Sequence, residues 1–126
     1  MGILDETSRN EPVGCQHLLR AARRCKPRLH CFGHIHEAWG AQRVTWKEGD
    51  DLDVNTEEHV KERTEVQVDE EKMERERAVH VNISHEGHEE LQFGKETLMV
   101  NASIMTLTYK PLQGPWLIDM DLPKAG

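Results

Sequence analysis

The sequence predicts an α/β fold, and three observations carry that expectation. Apolar residues recur at helical spacing from Cys15 to Cys25 until Pro27 stops the pattern. A four-residue run, Leu29 to Phe32, follows and ends at Gly33. Ala41 to Trp46 then alternates, with Val44 and Trp46 on one face and Arg43 and Thr45 on the other. A period near 3.6 that gives way to a period of 2 is the mark of a helix feeding strands.

The helix has a start and a stop. Ser8 or Asn10 can cap it, Pro12 is tolerated in a first turn, and Cys15, Leu18, Leu19, Ala22 and Cys25 form its apolar face. Arg20, Arg23, Arg24 and Lys26 fall on the opposite side. Such a stripe attracts phosphate, but its ordinary role is a solvated helix face. After Pro27, Leu29, Cys31 and Phe32 read as a buried strand that delivers Gly33 to Glu37 onto a loop, where α/β proteins place ligands.

That loop reads Gly33-His-Ile-His-Glu37 and offers two imidazoles one residue apart. Imidazole nitrogen suits zinc, iron, manganese or copper, and a preceding glycine removes a Cβ from the path of an ion. His34 and His36 are therefore the candidate metal ligands. A zinc site from Cys25, Cys31, His34 and His36 is the weaker reading, because both cysteines fit apolar positions. His85-Glu-Gly-His88 invites a second metal reading, but it sits in a polar stretch with nothing to orient the rings. His30 reads as a core residue, and His17, His59 and His80 as surface residues.

Charge divides the chain. Residues 47–96 hold 17 Asp or Glu against 7 Lys or Arg, a local net charge of −10, while the remainder is net +3. Within that stretch Val60, Val66, Val68 and Met73 are scattered, so the expectation is a largely disordered acidic insertion. It would hold at most a frayed helix over residues 56–77 and a short edge strand at residues 78–83. Closure entropy tolerates such a loop, at about 0.6 kcal/mol per doubling of length. Outside it only about 76 residues remain for a core, with 37% hydrophobic content in the whole chain. Three cysteines without a CxxC spacing, no secretory apolar region and no apolar run of roughly 20 residues point to a cytoplasmic protein outside the membrane. An acidic chain without interleaved aromatics is not expected to bind a nucleic-acid polymer.

Several pieces together resemble the C-terminal part of the calcineurin-like metallophosphoesterase superfamily, in particular its small metallophosphoesterase domain-containing members. They are Gly2 to Asp5, Val13-Gly14-Cys15, Lys26 to His30, Phe32 to Glu37 with its GHxH motif, and Trp39-Gly40. Further along, Thr97-Leu-Met-Val-Asn-Ala-Ser103 is similar to the family strand carrying an Asn-Ala-Ser element, and Pro115 to Met120 to its last strand. The similarity covers about 70 residues in two blocks.

The resemblance implies a partial metallophosphoesterase-type β-sandwich flanked by helices, built from residues 1–46 and 97–126, with 47–96 as the insertion. It implies a dinuclear centre of divalent manganese, iron or zinc that activates water and clamps the phosphoryl oxygens of a phosphate-ester substrate, a phosphodiester above all. His34 would bind one metal and His36 the other. The Asp-x-His, Gly-Asp-x-x-Asp and Gly-Asn-His motifs that complete such a centre lie upstream of the GHxH in the family, and none of them precedes it in these 126 residues. The expectation is thus a C-terminal fragment, inactive alone, with weak or no metal binding and sheet edges prone to self-association. The alternative is a non-catalytic scaffold whose acidic insertion meets a basic partner.

Overall fold

The computed structural model describes residues 3, 4, 7, 9, 14–48 and 60–124. Helix α1 spans Gln16–Cys25 and closes on Lys26, whose left-handed backbone (φ 44°) lets its N–H reach the Ala22 carbonyl before Pro27. The expected caps Ser8 and Asn10, and Pro12, lie outside the described residues. Leu19 and Ala22 are buried as the periodicity requires, whereas Cys15 and Cys25 are exposed and Leu18 is 54% exposed. The stripe of cations is corrected at one position: Arg23 is 6% exposed, because α1 settles with that residue turned toward the protein.

Strands β1 (Leu29–Phe32), β2 (Gly40–Trp46), β3 (Val60–Glu65) and β5 (Glu96–Asn101) form one sheet in the order β1-β5-β2-β3, while β4 (Val79–Asn82) and β6 (Trp116–Asp119) form a second. β1 and β5 run parallel, with Phe32 opposite Asn101; β2 is antiparallel to β5, with Gly40 opposite Asn101. The α/β class therefore holds. β1 lies at the sheet edge, so its Cys31 is exposed rather than interior.

β5 is buried at all six positions because both of its faces are covered. On one side Met99 joins Val44 and Trp46 of β2, Leu19 and Ala22 of α1, and Ile3. On the other, Leu98 and Val100 join Ala41 of β2 with Val79, Val81 and Ile83 of the β4 region. Each such valine, leucine or methionine contributes about 1.5–3 kcal/mol when fully buried. The buried polar group Thr97 is satisfied: its hydroxyl accepts from the Trp46 indole at 2.9 Å and donates to the Pro27 carbonyl at 2.6 Å.

The structure differs from the low-order expectation over residues 60–96. β3 pairs with β2, helix α2 (Glu70–Glu76) is capped by the Asp69 carboxylate on the Lys72 N–H, and β4 pairs in parallel with β6. Val66, Val68 and Met73, scattered in sequence, pack against the second cluster. Their spacing follows neither helix nor strand because Val66 and Val68 lie in the connection after β3 and Met73 in α2, and tertiary placement gathers them on one side.

Candidate functional site

The loop that carries His34 and His36 leaves β1 at Phe32 and enters β2 at Gly40, so it crosses the carboxyl end of β5. Asn101 closes that strand and is fully buried. Its amide donates to the Ile35 carbonyl at 2.8 Å and to the Leu4 carbonyl at 3.0 Å, while its side-chain oxygen accepts from the Ser103 N–H at 3.1 Å. One side chain thus ties together the loop, the first residues and the segment after β5. The Ala102 N–H bonds the Phe32 carbonyl at 2.8 Å and continues the β1–β5 ladder to the point where the loop begins.

Within the loop, Gly33 has room for a Cβ, whose nearest neighbour would be the Ser103 hydroxyl at 3.5 Å. The left-handed backbone falls one residue later, on His34, with φ 76°. A non-glycine residue there costs about 1–2 kcal/mol, and such strain is held only where the surroundings over-determine it. The Asn101 bond to the next carbonyl, that of Ile35, does so here. His34 is exposed.

His36 opens a 3-10 turn, His36–Ala38, and is half-buried. Its carbonyl accepts from the Gln113 amide at 3.2 Å, and its ring meets Tyr109 edge-on at 5.9 Å between centroids. The Trp39 indole donates to the Gly114 carbonyl at 3.2 Å and stacks at a tilt on Trp116, 5.1 Å away. The segment before β6 therefore clasps the far side of the loop. Its own tip is apolar and exposed at Leu107, Tyr109 and Leu112.

Two imidazoles are brought to the end of a parallel strand pair, as the spacing predicts. Among the described residues no group of three or more His, Cys, Asp or Glu is placed to hold a metal ion. A dinuclear centre does not fit the described residues alone, and no catalytic step is assigned to them. The zinc reading loses Cys25 and Cys31, which are exposed thiols on separate elements. His85 instead bonds Asp121 through its backbone N–H at 2.8 Å and its Nδ1 at 2.9 Å. That hydrogen bond and the carboxylate charge raise the His85 pKa, and the same contacts lower that of Asp121. Gly87 in the same turn is needed for packing, since a Cβ there would lie 2.1 Å from the Asn82 carbonyl oxygen. His30 is half-buried against Phe32, with ring centroids 5.4 Å apart.

Asn101, Gln113 and Tyr109 shape the site and have no signal in local periodicity. The visible hint was the Asn-Ala-Ser element, Asn101 to Ser103, that ends the apolar run Leu98-Met-Val.

No family model matches the chain, and no solved structure matches it. Across 98% of its length it is 28% identical to metallophosphoesterase domain-containing protein 1 from Homo sapiens, and to the same degree to that from Mus musculus. The chain spans about a quarter, 23%, of the length of these curated relatives. This is a distant homology over nearly the whole chain, and it points to a metallophosphoesterase-like family.

Proposed function

We propose that this chain is the GHxH-bearing, C-terminal portion of a metal-dependent phosphoesterase, in which His34 and His36 supply two of the ligands of a dinuclear centre for phosphodiester hydrolysis. The observation that carries the reading is the strained backbone of His34, fixed at the end of the parallel β1–β5 pair by a fully buried Asn101. Strained backbone of this kind clusters at ligand sites, and His34, unlike Lys26 and Arg77, does not adopt it as the cap of a helix. The distant similarity to metallophosphoesterase domain-containing protein 1 supports the same reading. The remaining ligands, a bridging carboxylate among them, come from residues outside these 126, so the chain alone is inactive. The exposed apolar tip at Leu107, Tyr109 and Leu112, beside the site, would face the rest of such a protein; without it that tip favours self-association.

The test is manganese-dependent hydrolysis of a reporter phosphodiester. The 126-residue chain is expected to match its own His34→Ala, His36→Ala double variant. A longer protein in which the Asp-x-His, Gly-Asp-x-x-Asp and Gly-Asn-His motifs precede this sequence is expected to turn over, and to lose activity by 100-fold or more with the same two substitutions. Retained activity in that longer double variant would remove both histidines from the centre. Histidine-dependent turnover by the short chain would show that it assembles a complete site.

A further inference from the structure

The end of the main sheet opposite to His34 has its own character. Lys26 closes α1, Lys47 follows β2, Lys61 is the second residue of β3, and Lys95 directly precedes β5. These four positions are far apart in sequence, but the sheet order brings them to one rim. The Trp46 N–H bonds the Lys95 carbonyl at 3.0 Å and holds that rim closed at the β2–β5 junction. The result is a cavity of about 550 Å³ lined, among the described residues, by Lys26, Lys47, Lys61 and Lys95, with Thr45, Trp46, Gln92 and one carboxylate, Glu48.

None of the four ammonium groups has an ion-pair partner among the described residues; the ion pairs of this region are made by Arg43, with Glu89 and Glu96. Among the described residues, four lysine cations against one carboxylate around a shared space repel one another, and a multiply charged anion converts that repulsion into attraction. Lysine is a compact point charge with three rotatable donors, suited to phosphate oxygens without the planar geometry a carboxylate–arginine pair demands. The volume falls within the range that holds a small molecule of nucleotide size. Along β2, from Gly40 to Trp46, the two ends of the sheet lie roughly 20 Å apart at about 3.3 Å per residue, so this cavity is separate from the His34 loop.

We propose that this lysine-lined cavity is a second site, which binds the polyphosphate chain of a small molecule. The proposal stands independently of the phosphoesterase reading, since none of its residues belongs to the GHxH loop. Residues 49–59, outside the described residues, add five further carboxylates to the sequence between Lys47 and Lys61, so binding belongs to the full chain and is measured there.

Calorimetric or NMR titration of the 126-residue chain with inorganic triphosphate, in metal-free buffer, is the test. Triphosphate is expected to bind more tightly than orthophosphate by tenfold or more, and binding is expected to weaken as salt rises. Lys61→Gln with Lys95→Gln is expected to weaken it at least tenfold. Both side chains are exposed, and circular dichroism identifies any loss of fold, in which case Lys47→Gln with Lys95→Gln replaces the pair. His34→Ala with His36→Ala is expected to leave binding unchanged. Adenosine triphosphate serves as a second arm: equal affinity identifies the phosphate chain as the whole ligand, and tighter binding adds a contact to the nucleoside. Absence of binding at about 10 mM triphosphate, indifference to the lysine substitutions, or loss with the histidine variant would each overturn the proposal.

Discussion

β5 and β3 flank the same strand, both antiparallel to β2, and yet they share almost nothing else. β5 pairs in unbroken register from Gly40 opposite Asn101 to Thr45 opposite Glu96, and all six of its residues are buried. β3 pairs from Gln42 opposite Glu65, slips at the Thr45/Trp46 bulge, and exposes five of its six residues. Backbone pairing alone therefore does not distinguish the two. What differs is the cover: two apolar clusters close over β5, whereas β3 ends the sheet with Lys61, Glu62, Arg63, Thr64 and Glu65 in water. Charged residues on an edge strand also discourage pairing with another chain.

The largest expected effect sharpens this contrast directly. Met99→Ala, at 1% exposure in the centre of β5, is expected to cost about 2–5 kcal/mol, because the site cannot collapse from both sides. Thr64→Ala in β3 is expected to stay within about 0.5 kcal/mol. Chemical denaturation of both variants checks the pair, and similar losses would break the comparison.

Next in size is Asn101→Ala, which orphans the half-buried Ile35 and Leu4 carbonyls and the buried Ser103 N–H. A loss of about 1–3 kcal/mol is expected, with faster amide exchange across residues 33–39. Unchanged exchange there would show that Gln113 and Trp39 hold the loop without it.

A smaller effect addresses strain at the end of β1. At φ 76°, glycine is relieved of the Cβ clash that alanine keeps, so His34→Gly is expected to be about 1 kcal/mol more stable than His34→Ala. Equal stabilities would mean that the loop relaxes out of the left-handed region.

The smallest effect contrasts a buried anchor with an exposed one. The raised His85 pKa makes its contribution full below the ordinary value of about 6.5 and lost as pH rises through the folded value above it. The lowered Asp121 pKa makes its contribution present above about 3.9 and lost as pH falls through its folded value. The pair is thus worth most between about pH 4 and 6.5. Asp121→Asn is expected to return the NMR titration midpoint of His85 toward its ordinary value, and an unmoved midpoint would dissociate the two.

The position of the candidate loop was legible in the sequence. Leu29 to Phe32 is a strand, and Gly33 to Glu37 does emerge at its end. The role of Asn101 was not legible, because its partners Leu4 and Ile35 are 97 and 66 residues away. Nor was the backbone of the loop: Gly33 was read as clearing a Cβ from the path of an ion, whereas the structure leaves room for a Cβ there and puts the left-handed backbone on His34.

By itself the sequence determined what depends on neighbours along the chain. Pro27 ends α1 because it cannot donate, and alternation sends Val44 and Trp46 to one face of β2 because successive side chains point to opposite sides. Only the tertiary structure decided which cover each element receives. It buried Arg23, exposed Cys25 and Cys31, turned the polar run Val60–Glu65 into an edge strand, and gathered four lysines at one rim and two histidines at the other. Those outcomes depend on strand order and on residues dozens of positions apart, and a periodicity read over a few residues carries no information about either.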